Sequence, residues 1–190
     1  MRSEFSGGRP RFRGLCAGIC LGAIPGLGLI GVASAEVTIS FDGMHVHERV
    51  IRNYESSAAW DAPKRFGGQS TPSGVLSFNH GEYHTFCIEL KQPATVNSVD
   101  YEITSFSDMP GVMYQRSLIL TSLFEQYYDD LMLSASPALA AAFSMMTWEV
   151  MLEGFSFVPG SVIDQISLET GAVQFSDVSE EAMALYGEMA

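Results

Sequence analysis

Alternating apolar and polar residues mark much of the chain between residues 36 and 104. In EVTISF, residues 36 to 41, the side chains of Val37, Ile39 and Phe41 share one face, which is the pattern of a half-buried strand. Four later segments are rich in aromatic and β-branched residues, namely HVHERVIRNY, GVLSFN, YHTFCIEL and SVDYEITSF. We predict a strand at each of them, and a loop at the Gly/Ser/Pro-rich residues 67–74.

The apolar spacing becomes helical after residue 113. From Tyr114 to Met132, one helical stripe holds the apolar residues Leu120, Leu123, Phe124, Tyr127 and Leu131. A second helix is predicted from its ends: Ser136 is the N-cap, Pro137 stands in the first turn, and Gly154 is the stop after an alanine-rich body.

The last part of the chain returns to extended structure. Residues 162–178 contain a Thr-Gly turn signal, and Ser179 is a suitable cap for a short terminal helix. Strands, a pair of helices, further strands and a last helix indicate an α+β domain. We therefore predict a mainly antiparallel sheet with an inserted helical pair and a short C-terminal helix.

The first 35 residues have the pattern of a secretory signal peptide. Four arginines against one acid precede an apolar stretch at Leu15–Val32, and an A-x-A site ends at Ala35. A membrane anchor is the less favoured alternative, because the stretch is short for a bilayer and rich in glycine. We predict a signal peptide at 1–35 and a single domain at 36–190 that is secreted, periplasmic or at the cell surface.

The acidity of the chain excludes one large class of partners. The net charge is −12 with neutral histidines, and removal of the leader would make it about −15. A chain of this charge repels a phosphate backbone, so we expect no nucleic acid partner. No segment after the leader is long and apolar enough to suggest a membrane span.

Cysteine usage raises a specific question. Cys16 and Cys20 lie in the predicted leader, so an exported chain keeps only Cys87. Cysteines of exported proteins usually pair in disulfides, and an odd number leaves one over. The role of Cys87 therefore has to be inferred from the neighbouring sequence.

The segments FCIEL and AAAFSMMTWEV resemble the signature of bacterial thioester domains, which are surface domains of adhesins. In that family an aromatic-Cys-apolar strand supplies a thiol, and a Gln-x-x-x-Trp helix supplies an acyl carbon. Phe86, Cys87 and Ile88 match the first motif, Trp148 matches the second, and Gln115 resembles a subsidiary aromatic-Gln motif. The resemblance implies a β-sandwich or barrel with a helical insertion.

One position departs from the family in a way that changes the chemistry. Four residues before Trp148, the place of the acyl-donor glutamine holds Ser144. A thioester forms when a thiolate attacks a side-chain amide and ammonia leaves, and serine has no acyl carbon to attack. Residues i and i+4 share a helix face, so we expect Ser144 to face Cys87 where the glutamine would have stood.

Cys87 has three other interpretations. It can be a small buried hydrophobic residue, as many cysteines are. It can form a disulfide between two copies of the chain. A thioester to another glutamine is the third, with Gln115 as the candidate, although the geometry disfavours it.

Histidines offer a metal site as an alternative. HVHE places His45 and His47 on one face of a strand, and HGEYHTFC adds His80 and His84 near Cys87. Imidazole and thiolate suit zinc, but the spacing matches no finger-like motif, and exposed polar histidines are the favoured interpretation. We expect no metal and no other cofactor.

The sequence as a whole indicates an exported, non-enzymatic domain that binds or adheres to an extracellular protein or surface ligand. It resembles the thioester domains but lacks the glutamine needed for the covalent bond. The alternative is a periplasmic metal- or thiol-dependent enzyme that uses Cys87 and the nearby histidines.

Overall fold

A computed structural model describes residues 35–55, 65–87, 99–103, 114–134, 136–153 and 166–190. The predicted signal peptide therefore lies outside the described residues, except for Ala35. The elements follow in the order β1 (Ala35–Ile39), β2 (Phe41–Glu55), β3 (Arg65–Phe78), β4 (Tyr83–Thr85), β5 (Val99–Ile103), α1 (Tyr114–Ser134), α2 (Pro137–Leu152), β6 (Val173–Ser176) and α3 (Glu180–Met189). The mixed helix-and-strand architecture is confirmed.

The strands of the described residues form two antiparallel sheets. One has four strands in the order β4-β3-β2-β6, and the other pairs β1 with β5. In the part of the chain that the structure describes, the four-stranded sheet ends in β4 and β6 and is not closed into a barrel.

The loop predicted at residues 67–74 is wrong, because β3 runs through this segment and pairs with β2 along almost its whole length. Pro72 stands opposite Arg49, and β4 pairs only with the end of β3, from Leu76 to Phe78. The missing N–H of Pro72 therefore removes no hydrogen bond on the β4 side of the strand. Pairing with a distant strand overrides the local turn composition.

Strand β2 is irregular. Its register against β3 shifts between Phe41 and Gly43, between Met44 and Val46, and between Arg52 and Tyr54. Such bulges bend a strand and change the direction of the side chains beside them.

Helix α2 is the centre of the core. All its residues from Ala140 to Leu152 are buried, so the helix is enclosed on every side. Ser73 of β3 donates a hydrogen bond from its hydroxyl to the carbonyl of Ala141, 3.1 Å away, which holds the helix against the sheet. On the α1 side, the rings of Phe124 and Phe143 meet edge to face at 4.9 Å.

Both predicted helix caps are confirmed. The hydroxyl of Ser136 accepts a hydrogen bond from the N–H of Leu139, and that of Ser179 accepts one from the N–H of Ala182. The predicted stop at Gly154 lies outside the described residues, and α2 ends two residues earlier, at Leu152.

We expect Gly74→Ala to destabilise the protein by about 2 kcal/mol or more, because the new methyl group would overlap backbone atoms. A Cβ at Gly74 would lie 2.2 Å from the carbonyl oxygen of Val46. Urea unfolding measures the effect. Gly187→Ala in α3 is the matched control, since a Cβ there meets nothing within 4 Å, and we expect it to be neutral or slightly stabilising. Equal stability of the two variants would contradict the close approach of β2 and β3.

Candidate functional site

The two motif segments lie against each other. The indole Nε1 of Trp148 donates a hydrogen bond to the carbonyl of Cys87, with the two atoms 2.6 Å apart. One residue before each of the motif positions Cys87 and Ser144, the rings of Phe86 and Phe143 pack with centroids 4.5 Å apart. The folded chain thus joins the strand end that carries the cysteine to the helix that carries the tryptophan.

Cys87 lies two residues beyond the end of β4 and is half-buried. It packs against a cluster formed by Ile39, Leu76 and Phe78. It also interacts electrostatically with Arg52, whose pKa is lowered by burial and partly restored by Cys87. The cysteine therefore has both apolar and charged surroundings, and it forms no disulfide with another described residue.

Ser144 is buried in α2 and turned toward the sheet. Its hydroxyl donates a hydrogen bond to the carbonyl of Gly74 on β3, at 3.1 Å. Ser144 and Trp148 are one helical turn apart, and Trp148 is bound to the Cys87 backbone. These contacts bring the three motif positions into one region. That the Cys87 thiol itself faces the Ser144 hydroxyl stays a prediction.

Trp148 links this region to β6. Its ring stacks on Phe175 with centroids 5.7 Å apart and an interplanar angle of 19°. The indole N–H therefore donates to the Cys87 segment while the ring face stacks on β6, and a buried tryptophan usually has such a hydrogen-bond partner.

Gln115 does not share these surroundings. It is exposed near the start of α1, whereas its neighbour Arg116 is directed at the C-terminal end of α2. The guanidinium of Arg116 donates hydrogen bonds to the carbonyls of Met151 and Glu153. Arg116 thus binds helix carbonyls that have no partner within the helix, and the exposure of Gln115 gives no support to a thioester there.

Three buried polar side chains, which the sequence did not predict, lie around the C-terminal end of α2. Glu149 is fully buried in α2, and neither of its carboxyl oxygens forms a hydrogen bond of normal geometry with a described group. Glu153 is also buried, and its Oε1 accepts a hydrogen bond from the backbone N–H of Val173 at 2.9 Å. The hydroxyl of Tyr186 on α3 is buried without a described partner. The sequence signal that could have revealed this group is Glu149, a charged residue type in the mostly apolar segment that forms α2.

Burial decides the protonation of this group. It raises the pKa of Glu149 to about 9, with Glu153 adding to the shift and the Ser167 backbone opposing it. Burial also raises the pKa of Tyr186, and both glutamates add to that shift. Burial lowers the pKa of Arg116, which Glu153 partly restores. At neutral pH, Glu149 is therefore a neutral carboxylic acid inside the core.

Of the four histidines considered as metal ligands, the structure brings two together. The rings of His45 and His84 have centroids 4.3 Å apart. His47 is exposed, and His80 is exposed with its Nδ1 4.0 Å from a carboxyl oxygen of Asp42. Within the described ranges, no three His, Cys, Asp or Glu side chains come close enough to hold a metal ion together.

Comparison of the chain with protein-family models, curated proteins and solved structures gave no match. The resemblance to thioester domains therefore rests on the residues of the two motifs alone. Among the described helices, none is both long enough and apolar enough to cross a bilayer.

We expect the stability of the protein to fall as the pH rises from about 5 to 9, because of Glu149. The folded chain holds the proton up to a pKa of about 9, whereas the unfolded chain releases it near 4.5. The stabilisation from this proton is complete below 4.5 and is lost progressively up to about 9, by at most about 1.4 kcal/mol per pH unit.

Glu149→Gln should remove most of this slope, because an amide replaces the neutral acid without a proton to lose. Urea unfolding at pH 5 and pH 8 measures it, and we expect the variant to exceed the wild type in stability by about 2–4 kcal/mol at pH 8. Glu125→Gln, which removes an exposed carboxylate of α1, measures the effect of net charge alone. Identical pH slopes for wild type and Glu149→Gln would contradict the buried neutral acid.

Proposed function

We propose that the chain is an exported, non-enzymatic binding domain related to bacterial thioester domains and unable to form their covalent bond. The observation that carries this proposal is the hydrogen bond from Trp148 to the backbone of Cys87. It joins the two segments that resemble the family motifs, although they are far apart in the chain. A chance likeness of two short motifs gives no reason for them to meet in the fold.

The chemistry at position 144 supports the loss of the bond. Ser144 has no acyl carbon, and its hydroxyl is already engaged with the Gly74 carbonyl. A side-chain amide is a poor electrophile, so a thioester needs a glutamine held directly against the thiolate. Gln115, the other candidate, is exposed on α1.

We further propose that the two sheets pack face to face as the two layers of a β-sandwich. Ile39 of β1 packs with Leu76 and Phe78 of β3, so the small β1–β5 sheet contacts the larger one through this cluster. A sandwich with a helical insertion, as in the thioester domains, is consistent with that contact.

The proposed role is non-covalent binding of an extracellular protein or surface ligand after export. The composition of residues 1–35 supports export, and the net charge of −12 disfavours nucleic acid as the ligand. The enzyme alternative has less support, because the described residues contain no cluster of three His, Cys, Asp or Glu side chains that could hold a catalytic metal ion.

Intact-mass measurement and amine labelling test the loss of the thioester. We expect the purified protein to have its full calculated mass and to form no adduct with methylamine, because Ser144 has no acyl carbon and Gln115 is exposed on α1. Peptide mapping after denaturation and alkylation should find the Cys87 thiol modified by the alkylating reagent. The Cys87→Ser variant is the control for that label. A mass lower by one ammonia, or a methylamine adduct on any glutamine, would refute the proposal.

A further inference from the structure

The imidazole rings of His45 and His84 are in contact although their strands are not neighbours in the sheet. His45 is on β2 and His84 on β4, and β3 lies between these two strands. Neighbouring strands are about 4.8 Å apart, so the two backbones are separated by roughly twice that distance. The ring centroids are nevertheless only 4.3 Å apart. Both side chains therefore extend toward each other over the same face of β3.

The residues around the pair leave room for this arrangement. His84 is opposite Ser77 of β3, which is in turn opposite Gly43 of β2. A Cβ at Gly43 would meet nothing within 4 Å, so no other group fills the space next to Gly43. His45 lies at the register shift between Met44 and Val46, and a bulge of this kind re-aims the side chain it carries.

We propose that His45 and His84 bind a divalent transition-metal ion, with Cu²⁺ favoured over Zn²⁺. Imidazole nitrogen suits both ions, and for a given set of nitrogen ligands Cu²⁺ binds most strongly in the first transition row. His45 is exposed and His84 half-buried, so one side of the pair is open to water molecules that complete the coordination.

The ring separation suits an ion with right angles between its ligands better than a tetrahedral ion. With metal–nitrogen bonds of about 2.0 Å, an ion lies about 3.2 Å from the centre of each ring that binds it. Ring centroids 4.3 Å apart then subtend roughly 85° at the ion. This angle is close to the right angle between neighbouring ligands of Cu²⁺ or Ni²⁺ and well below the tetrahedral angle of zinc.

The protonation of the pair also favours a metal. Two protonated imidazoles at this distance repel each other, whereas one metal ion between two neutral rings uses both nitrogen lone pairs.

Copper titration of the purified, untagged protein tests the site. We expect one tight equivalent of Cu²⁺ by isothermal calorimetry and an electron paramagnetic resonance spectrum with coupling to two nitrogen nuclei. His45→Gln and His84→Gln should each weaken binding by about tenfold or more, because a single imidazole loses the chelate. Zn²⁺ should bind more weakly than Cu²⁺ and be lost in the same two variants.

Three controls separate this pair from other copper ligands. His47→Gln and His80→Gln remove exposed histidines of the same region, and Cys87→Ser removes the nearby thiol; all three should bind Cu²⁺ as the wild type does. Circular dichroism shows whether each variant is folded. The electron paramagnetic resonance spectrum of the wild-type copper complex tests the site even if a variant fails to fold. The proposal is overturned if the wild type binds no Cu²⁺, if only one nitrogen is coupled, or if a control variant loses the ion.

Discussion

The structure depends on the complete enclosure of helix α2. A helix that is buried all round must be covered by several elements at once, and here the described contacts come from β2, β3, β6, α1 and α3. Its small residues make this possible: Ala140, Ala141 and Ala142 are all inaccessible to solvent. Apolar burial then supplies the main stabilisation, because each enclosing element removes a different face of the same helix from water.

Enclosure makes every polar group of α2 costly unless it is hydrogen-bonded or at least uncharged, and the polar residues of the helix show both solutions. The Ser144 hydroxyl donates to a carbonyl of β3, and the Thr147 hydroxyl donates to the carbonyl of Phe143 in the preceding turn. Glu149 avoids burying a charge by keeping its proton. Glu153, at the end of the helix, accepts a backbone N–H from the β6 strand. The polar residues of α2 therefore fix its position against its neighbours.

The sequence predicts features that depend on neighbouring residues, such as helix caps, and misses features that depend on contacts between distant segments. The cap at Ser136 is confirmed, because a cap depends only on the next three residues. The loop predicted at 67–74 is wrong, because β2 supplies ladder partners that turn composition cannot reveal. The two motif segments lie against each other through the Trp148–Cys87 hydrogen bond, whereas the kinship that suggested them stays a prediction. The burial of Glu149 follows from contacts on every side of α2, which local sequence does not reveal. The meeting of His45 and His84 likewise requires a bulge that the alternation of residues does not specify.

The same enclosure limits where this protein can bind a partner. Trp148 and Ser144 are almost completely buried, and the segment around Cys87 is held to them by the indole hydrogen bond. A macromolecule cannot reach these groups without separating α2 from the sheet, which would expose buried apolar side chains of the core. In a thioester domain the motif residues carry the reaction; here their positions serve packing, with Ser144 bound to Gly74. The proposed non-covalent recognition would therefore use the outer surface, with the motif region holding that surface in shape.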